Sequence, residues 1–225
     1  AGDHDGSMYD ADLRSPSIVF QYSYSHDNTH GLFWSYPNGS SEPNSNVVVR
    51  YNISQNDQGD IFAFSGTGSG SSAAIYNNTI VIAAANPSPT NPPQKIFEDR
   101  AGGHTYVVRN NIFYILSATA TYSFSTSTRT FDYNVFYGQH AATEPADPHK
   151  LTSDPLFIAP FTGGIGRNSV DGYKLHFGSP SIDSGTTVTN NGGRDYFGNA
   201  VPFNIATDRG AHEYTGTPAL AALTL

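Results

Sequence analysis

Val107-Val108-Arg109-Asn110-Asn111-Ile112-Phe113 is one copy of the pattern that decides the fold. A short β-branched or aromatic run reaches an Asn and then resumes with apolar residues. The same pattern stands at Val48-Val49-Arg50-Tyr51-Asn52-Ile53-Ser54, at Ala74-Ile75-Tyr76-Asn77-Asn78-Thr79-Ile80 and at Thr130-Phe131-Asp132-Tyr133-Asn134-Val135-Phe136. An earlier copy, Val19-Phe20-Gln21-Tyr22-Ser23-Tyr24-Ser25, has Ser in place of the Asn, and the steps from Ser23 are 29, 26, 33 and 23 residues. A period in the twenties to thirties marks a solenoid, because each copy buries its apolar face only on its neighbours.

Apart from a weak tail at Pro218 to Leu225, no stretch carries a helical period, and no leucine-rich consensus is present. The pattern therefore predicts an all-β chain: a single-domain, right-handed parallel β-helix with stacked Asn residues forming a ladder inside one bend. Side chains alternate along a strand. Phe20, Val49, Ile75, Val108 and Phe131 should then point inward, and Gln21, Arg50, Tyr76, Arg109 and Asp132 outward. Coils are expected over residues 1–150, with a long Pro-rich insertion near 86–94. Residues 151–225 should supply further coils and the segment that closes the same solenoid.

Composition agrees. Only 13% of the 225 residues are charged, whereas Tyr and Phe number 14 each and Gly 22. These are residues of pleated surfaces and tight turns. The chain has no Cys, which removes disulfides and thiolate metal sites. A net charge of −8 argues against nucleic acid, which needs clustered Lys and Arg. No apolar run reaches membrane-spanning length. Few Lys and an acidic balance suit a secreted, extracellular protein. Sequons occur at Asn38, Asn52 and Asn77, but Asn52 belongs to the ladder column and is expected to stay unmodified.

A second strand column aligns by counting from the ladder. Leu32-Phe33-Trp34-Ser35 lies over Ile61-Phe62-Ala63-Phe64, with Met8 to Leu13 and Lys95 to Arg100 in comparable places. If Tyr9, Leu32, Ile61 and Ile96 point inward, the opposite face carries Asp10, Asp12 and Arg14, then Phe33 and Ser35, then Asp60, Phe62 and Phe64, then Lys95, Phe97 and Asp99. Carboxylates among aromatic rings on a flat sheet describe a sugar cleft. A one-residue slip would reverse that face. The following turns also align, setting His26, Asp27 and His30 beside Asp57.

With these residues in hand, the chain resembles the right-handed parallel β-helix proteins of the pectate-lyase-like superfamily. The repeats, Tyr24-Ser25-His26-Asp27-Asn28 and a C-terminal run carry the likeness. That run includes Ser153-Asp154-Pro155-Leu156-Phe157, Gly178-Ser179-Pro180-Ser181-Ile182-Asp183-Ser184-Gly185 and Arg209-Gly210-Ala211-His212-Glu213. The resemblance implies a secreted polysaccharide lyase or glycoside hydrolase. The sharper motifs of polygalacturonases and calcium pectate lyases do not occur, so no catalytic residue carries over.

Glycoside hydrolysis needs two carboxyl groups ~5 to 9.5 Å apart. Asp10, Asp12 and Asp60 meet this best as an acid/base set, although Tyr-Asp-Ala-Asp also reads as a solvated strand edge. His26 with Asp27 reads as a general base with its orienting carboxylate, or as a turn whose Asp caps backbone amides. Phe33, Phe62 and Phe64 would form the sugar platform, with Arg14 and Asp57 as further binding groups. Glu98, Asp99, Arg100 and His104 read as a carboxylate–Arg surface pair beside a Gly-Gly turn. No resident metal or cofactor is expected, although a lyase would need Ca²⁺ or basic groups to neutralise a uronate. The expected partner is a polysaccharide or oligosaccharide. The reading favours hydrolysis of a glycan, with β-elimination or non-catalytic glycan binding as the alternatives. The polar, Gly-rich Ala1 to Ser7 cannot cover the first coil. A second chain or an upstream segment is therefore expected to cap it, the chain then being the C-terminal part of a longer enzyme.

Overall fold

The computed structural model describes residues 7–12, 14–37, 43–66, 69–85 and 94–216. Each coil contributes three short strands. The first carries β1 (Tyr9–Asp12), β2 (Val19–Gln21) and β3 (Tyr24–His26), and the second β4 (Phe33–Tyr36), β5 (Val47–Arg50) and β6 (Ile53–Gln55). The third carries β7 (Asp60–Phe64), β8 (Ser72–Tyr76) and β9 (Thr79–Ile82), and the fourth β10 (Lys95–Asp99), β11 (Thr105–Arg109) and β12 (Ile112–Ile115). The last has β13 (Thr121–Ser123), β14 (Thr128–Asp132) and β15 (Val135–Gly138). They stack into three parallel sheets: β1-β4-β7-β10-β13, β2-β5-β8-β11-β14 and β3-β6-β9-β12-β15. The repeat columns keep the expected register, Val49 facing Ile75 and Val108 facing Phe131. Val49, Ile75 and Val108 are fully buried in the core.

The bend between the second and third sheets explains the repeated Asn. Tyr22, Tyr51, Asn77, Asn110 and Tyr133 have left-handed φ of 49° to 59° there, turning the chain at each level. The next residue, Asn52, Asn78, Asn111 or Asn134, is 0% exposed. Each Asn receives the backbone N–H of the preceding ladder residue on its side-chain oxygen at 3.0 to 3.1 Å. Its amide donates to the carbonyl of Phe20, Val49, Ile75 or Val108. Asp147 ends the row, accepting both the backbone and side-chain N–H of Asn134 at 2.9 and 2.8 Å. Asn52 and Asn77 are thus buried within the coil stack. Asn38 and most of the insertion, residues 86–93, lie outside the described residues.

Past residue 150 the expectation of further coils gives way to a different solution. Residues 151–216 add no strand to the three sheets. They contain isolated bridges and two 3₁₀ turns, Arg167–Ser169 and Asp171–Tyr173. This segment folds back along the flank of the solenoid. Phe157, Val170, Tyr173, Leu175 and Tyr196 pack on Ile53, Val81, Ile112, Tyr114 and Val135 of the third sheet. Val201 packs on Tyr51 and Tyr76, and Arg50 donates to the Asn190 carbonyl at 2.6 Å. The outer side of the third sheet is apolar, so covering it removes from water the surface that a bare solenoid would expose.

Candidate functional site

Among the described residues, the wrap covers the outer side of the third sheet and the part of the second around Tyr51 and Tyr76, and it makes no such cluster on the first sheet. The side-chain order of the first sheet corrects the expected one. Phe33, Phe62 and Phe64 are buried, at 0%, 0% and 2% exposure. Their rings stack inside the bore, Phe62 on Phe97 with centroids 4.8 Å apart and Phe64 on Tyr106 at 4.5 Å. They cannot form an exposed sugar platform. The cause is local. Leu32 and Phe33, Ile61 and Phe62, and Ile96 and Phe97 are consecutive residues that are all buried in one core. The chain enters the sheet through a corner where alternation breaks, and the register between β10 and β13 shifts at Lys95/Phe97. Tyr9 consequently pairs with Phe33, one residue beyond the expected Leu32.

The column facing away from the bore runs Asp10, Trp34, Ala63, Glu98 and Ser123 across the five coils, with Asp12 beside Tyr36, and its middle members Ala63 and Glu98 are buried. Asp10 and Asp12 are exposed as expected, alternating on β1. Trp34 is half-buried, its indole N–H donating to the Ser65 hydroxyl, and its ring lies 6.1 Å from that of Tyr36. Asp60 lies two coils from Asp10, as expected, where it is 9% exposed and forms an ion pair with Arg100. The same guanidinium approaches Glu98 at 3.8 Å, and Lys95 forms an ion pair with Glu98. Two carboxylates sharing one guanidinium stand no farther apart than the ~9.5 Å upper limit for a glycosidase pair. The carboxylate–Arg pairing expected around Glu98 and Arg100 is present, and it recruits Asp60.

The other predicted residues separate from this group. Asp57 is 0% exposed. It accepts the backbone and side-chain N–H of Asn28 at 3.1 and 2.9 Å and the Ser54 hydroxyl at 2.6 Å. It joins two coils and cannot meet a substrate, which corrects its assignment as a binding group. Burial raises its pKa above the ordinary Asp value, against those hydrogen bonds. His26 Nδ1 and Asp27 Oδ2 lie 2.9 Å apart at the corner that leads from the third sheet, with the imidazole stacked on Tyr24. Asp27 adopts φ 54°, so it serves as the turn residue of that corner. Arg14 is exposed in the turn after β1, with φ 63°.

Sequence reasoning overlooks Trp34 and Tyr36, places Lys95 on the exposed face without a role, and reads Glu98 only as part of a surface pair. The signal that would have found them is similarity down a column. Phe33, Phe62 and Phe97 repeat in kind from coil to coil, as a packed interior requires. Asp10, Trp34, Ala63 and Glu98 do not.

The fold and site together define a parallel β-solenoid with one acidic, aromatic-bearing side face. No protein-family model matches the chain. The chain is distantly similar to a glycoside hydrolase, the lacto-N-biosidase of Bifidobacterium longum subsp. longum. It is 28% identical over 231 residues, which span 89% of this chain and 13% of the length of that protein.

Proposed function

We propose that the outer face of the first sheet hydrolyses a glycosidic bond in a neutral or weakly charged glycan. The observation that carries this reading is the Asp60–Arg100–Glu98 cluster, with Asp60 one coil and Glu98 two coils from the half-buried Trp34. A pyranose stacked on the Trp34 ring is flanked by Asp10 one coil away, ~4.8 Å along the column, and by Ala63 on the other side. Asp60 and Glu98 supply the two carboxyl groups that such a hydrolysis needs, and Arg100 holds them near each other. Lys95 and Arg100 are each engaged by a carboxylate, so neither is a spare cation for a uronate. That favours hydrolysis over elimination. The distant similarity to a glycosidase supports the same class of reaction.

The test is a panel of neutral and uronic-acid oligosaccharides, read by reducing ends and by the ultraviolet absorbance of an unsaturated uronate. Reducing ends without that absorbance are expected, with Asp60→Asn and Glu98→Gln each slowing cleavage by ~10² to 10⁴-fold. Trp34→Ala should raise KM more than it lowers kcat. Cleavage with the unsaturated product, or wild-type rates in both carboxylate variants, would overturn the assignment. Binding without cleavage would make the face a glycan-recognition surface only.

A further inference from the structure

The segment that wraps the solenoid holds a groove of about 390 Å³ lined by Arg167, Asn168, Asp171, Lys174, Tyr196 and Phe197. That volume is in the range of small-ligand sites, ~300 to 1,000 Å³. Two cations lie over two rings: the Arg167 guanidinium 5.2 Å from the Tyr196 centroid, and the Lys174 ammonium 4.9 Å from that of Phe197. The rings are set edge to face, 5.0 Å apart.

These groups are fixed before any ligand arrives. Arg167 Nη2 donates to the Tyr196 carbonyl at 3.0 Å, and the Tyr196 hydroxyl returns a bond to the Arg167 carbonyl at 3.0 Å. Tyr196 follows Asp195, whose carboxylate accepts from Asn199 and from the Glu213 backbone, anchoring the loop from below. Lys174 is held by Asp171 at 2.8 Å, an exposed pair that contributes little to stability and can open to a ligand. His212, packed edge-on against Phe197, adds no charge near neutrality. Burial and the nearby Lys174 pull its pKa down to about 4, against the pull of Asp171.

The groove thus sets two cations against one carboxylate on a chain whose net charge is −8. A guanidinium presents planar donors that match a carboxylate or a sulfate better than any neutral group. An aromatic floor beside it suits a sugar ring.

We infer that this groove is a second saccharide site, taking a sugar unit that bears a single acidic group, carboxylate or sulfate ester. The acidic group docks on Arg167 and Lys174, and the ring lies against Phe197. The saccharide part rests on the glycan reading above; the anion part stands on the groove itself. The site is separate from the first-sheet face.

Calorimetric titration with a digalacturonate, a monosulfated disaccharide, a neutral disaccharide of the same size and inorganic sulfate tests this. Both acidic disaccharides, or one of them, should bind at least tenfold more tightly than the neutral one and than sulfate alone. The stronger arm identifies the acid. Arg167→Met should abolish that preference, while Arg167→Lys keeps part of it, showing that the loop still folds. Asp60→Asn should leave it unchanged, so this site can fail without the hydrolytic face failing, and the reverse. Equal affinity for neutral and acidic sugars overturns the proposal, as does sulfate binding as well as the sugars, loss of binding in Asp60→Asn, or no binding at all.

Discussion

At the residue scale, the stack depends on side chains that are absent as much as on those present. A Cβ added to Gly31 would fall inside the van der Waals envelope of the Asp60 carbonyl and the Ile61 Cα on the next coil. Both obstacles are backbone, so no rotamer change relieves them. Gly31→Ala should therefore destabilise the protein by about 1 to 3 kcal/mol, read as a lower urea midpoint. Because Asp60 sits at the contact, the same variant should also lower the hydrolysis proposed for that face beyond what its stability loss explains. Gly31 stands in the sequence immediately before Leu32 of the second strand column. Its closeness to the next coil is not legible there, since that depends on how tightly two corners nest.

At the element scale, the ladder is the unit that holds register. Asn111 receives the backbone and side-chain N–H of Asn78, and donates to Ile75 and Arg109 carbonyls and to Asn134. Removing its side chain leaves several buried groups unpaired at once, each costing ~1 to 3 kcal/mol. Asn111→Ala should destabilise by about 3 kcal/mol or more, measured by urea unfolding followed in the far ultraviolet. An Ala at exposed Thr130 of β14 should change it little. The ladder was legible because an amide that must pair above and below repeats at every level. The first sheet's face was not. There the corner places two successive residues inward, and counting by two from Leu32 or Ile61 selects the wrong set. One residue of slip exchanged Phe33, Phe62 and Phe97 for Trp34, Ala63 and Glu98.

At the scale of the whole molecule, the wrap is pinned by buried carboxylates. Glu213 accepts from the Asp208 backbone at 2.9 Å and the Thr207 hydroxyl at 2.6 Å, and Asp208 accepts from the backbones of Asp183 and Tyr214. Burial, then the neighbouring Asp208, raises Glu213 from 4.5 to about 7. Burial likewise raises Asp208 from 3.8 to about 6. A carboxyl whose pKa is higher folded than unfolded favours the folded state below its unfolded value, and that contribution is lost as pH rises through the folded value. Wild type should therefore lose stability relative to Glu213→Gln as pH rises from 4.5 to about 7. The expected difference is about 2 to 3 kcal/mol. A pH-independent gap in urea unfolding free energy between the two proteins would refute this.

The repeat alone determined that the chain is a parallel solenoid and which bend holds the Asn row. Those conclusions follow from period and from the need of buried amides for partners, both of which are local and recur in every coil. Only the tertiary structure decided that residues 151–216 run back over two faces, that Asp60 joins Glu98 on Arg100, and that Arg167 and Lys174 share a groove. These depend on contacts between segments far apart in the chain that occur once each, so no recurring pattern records them.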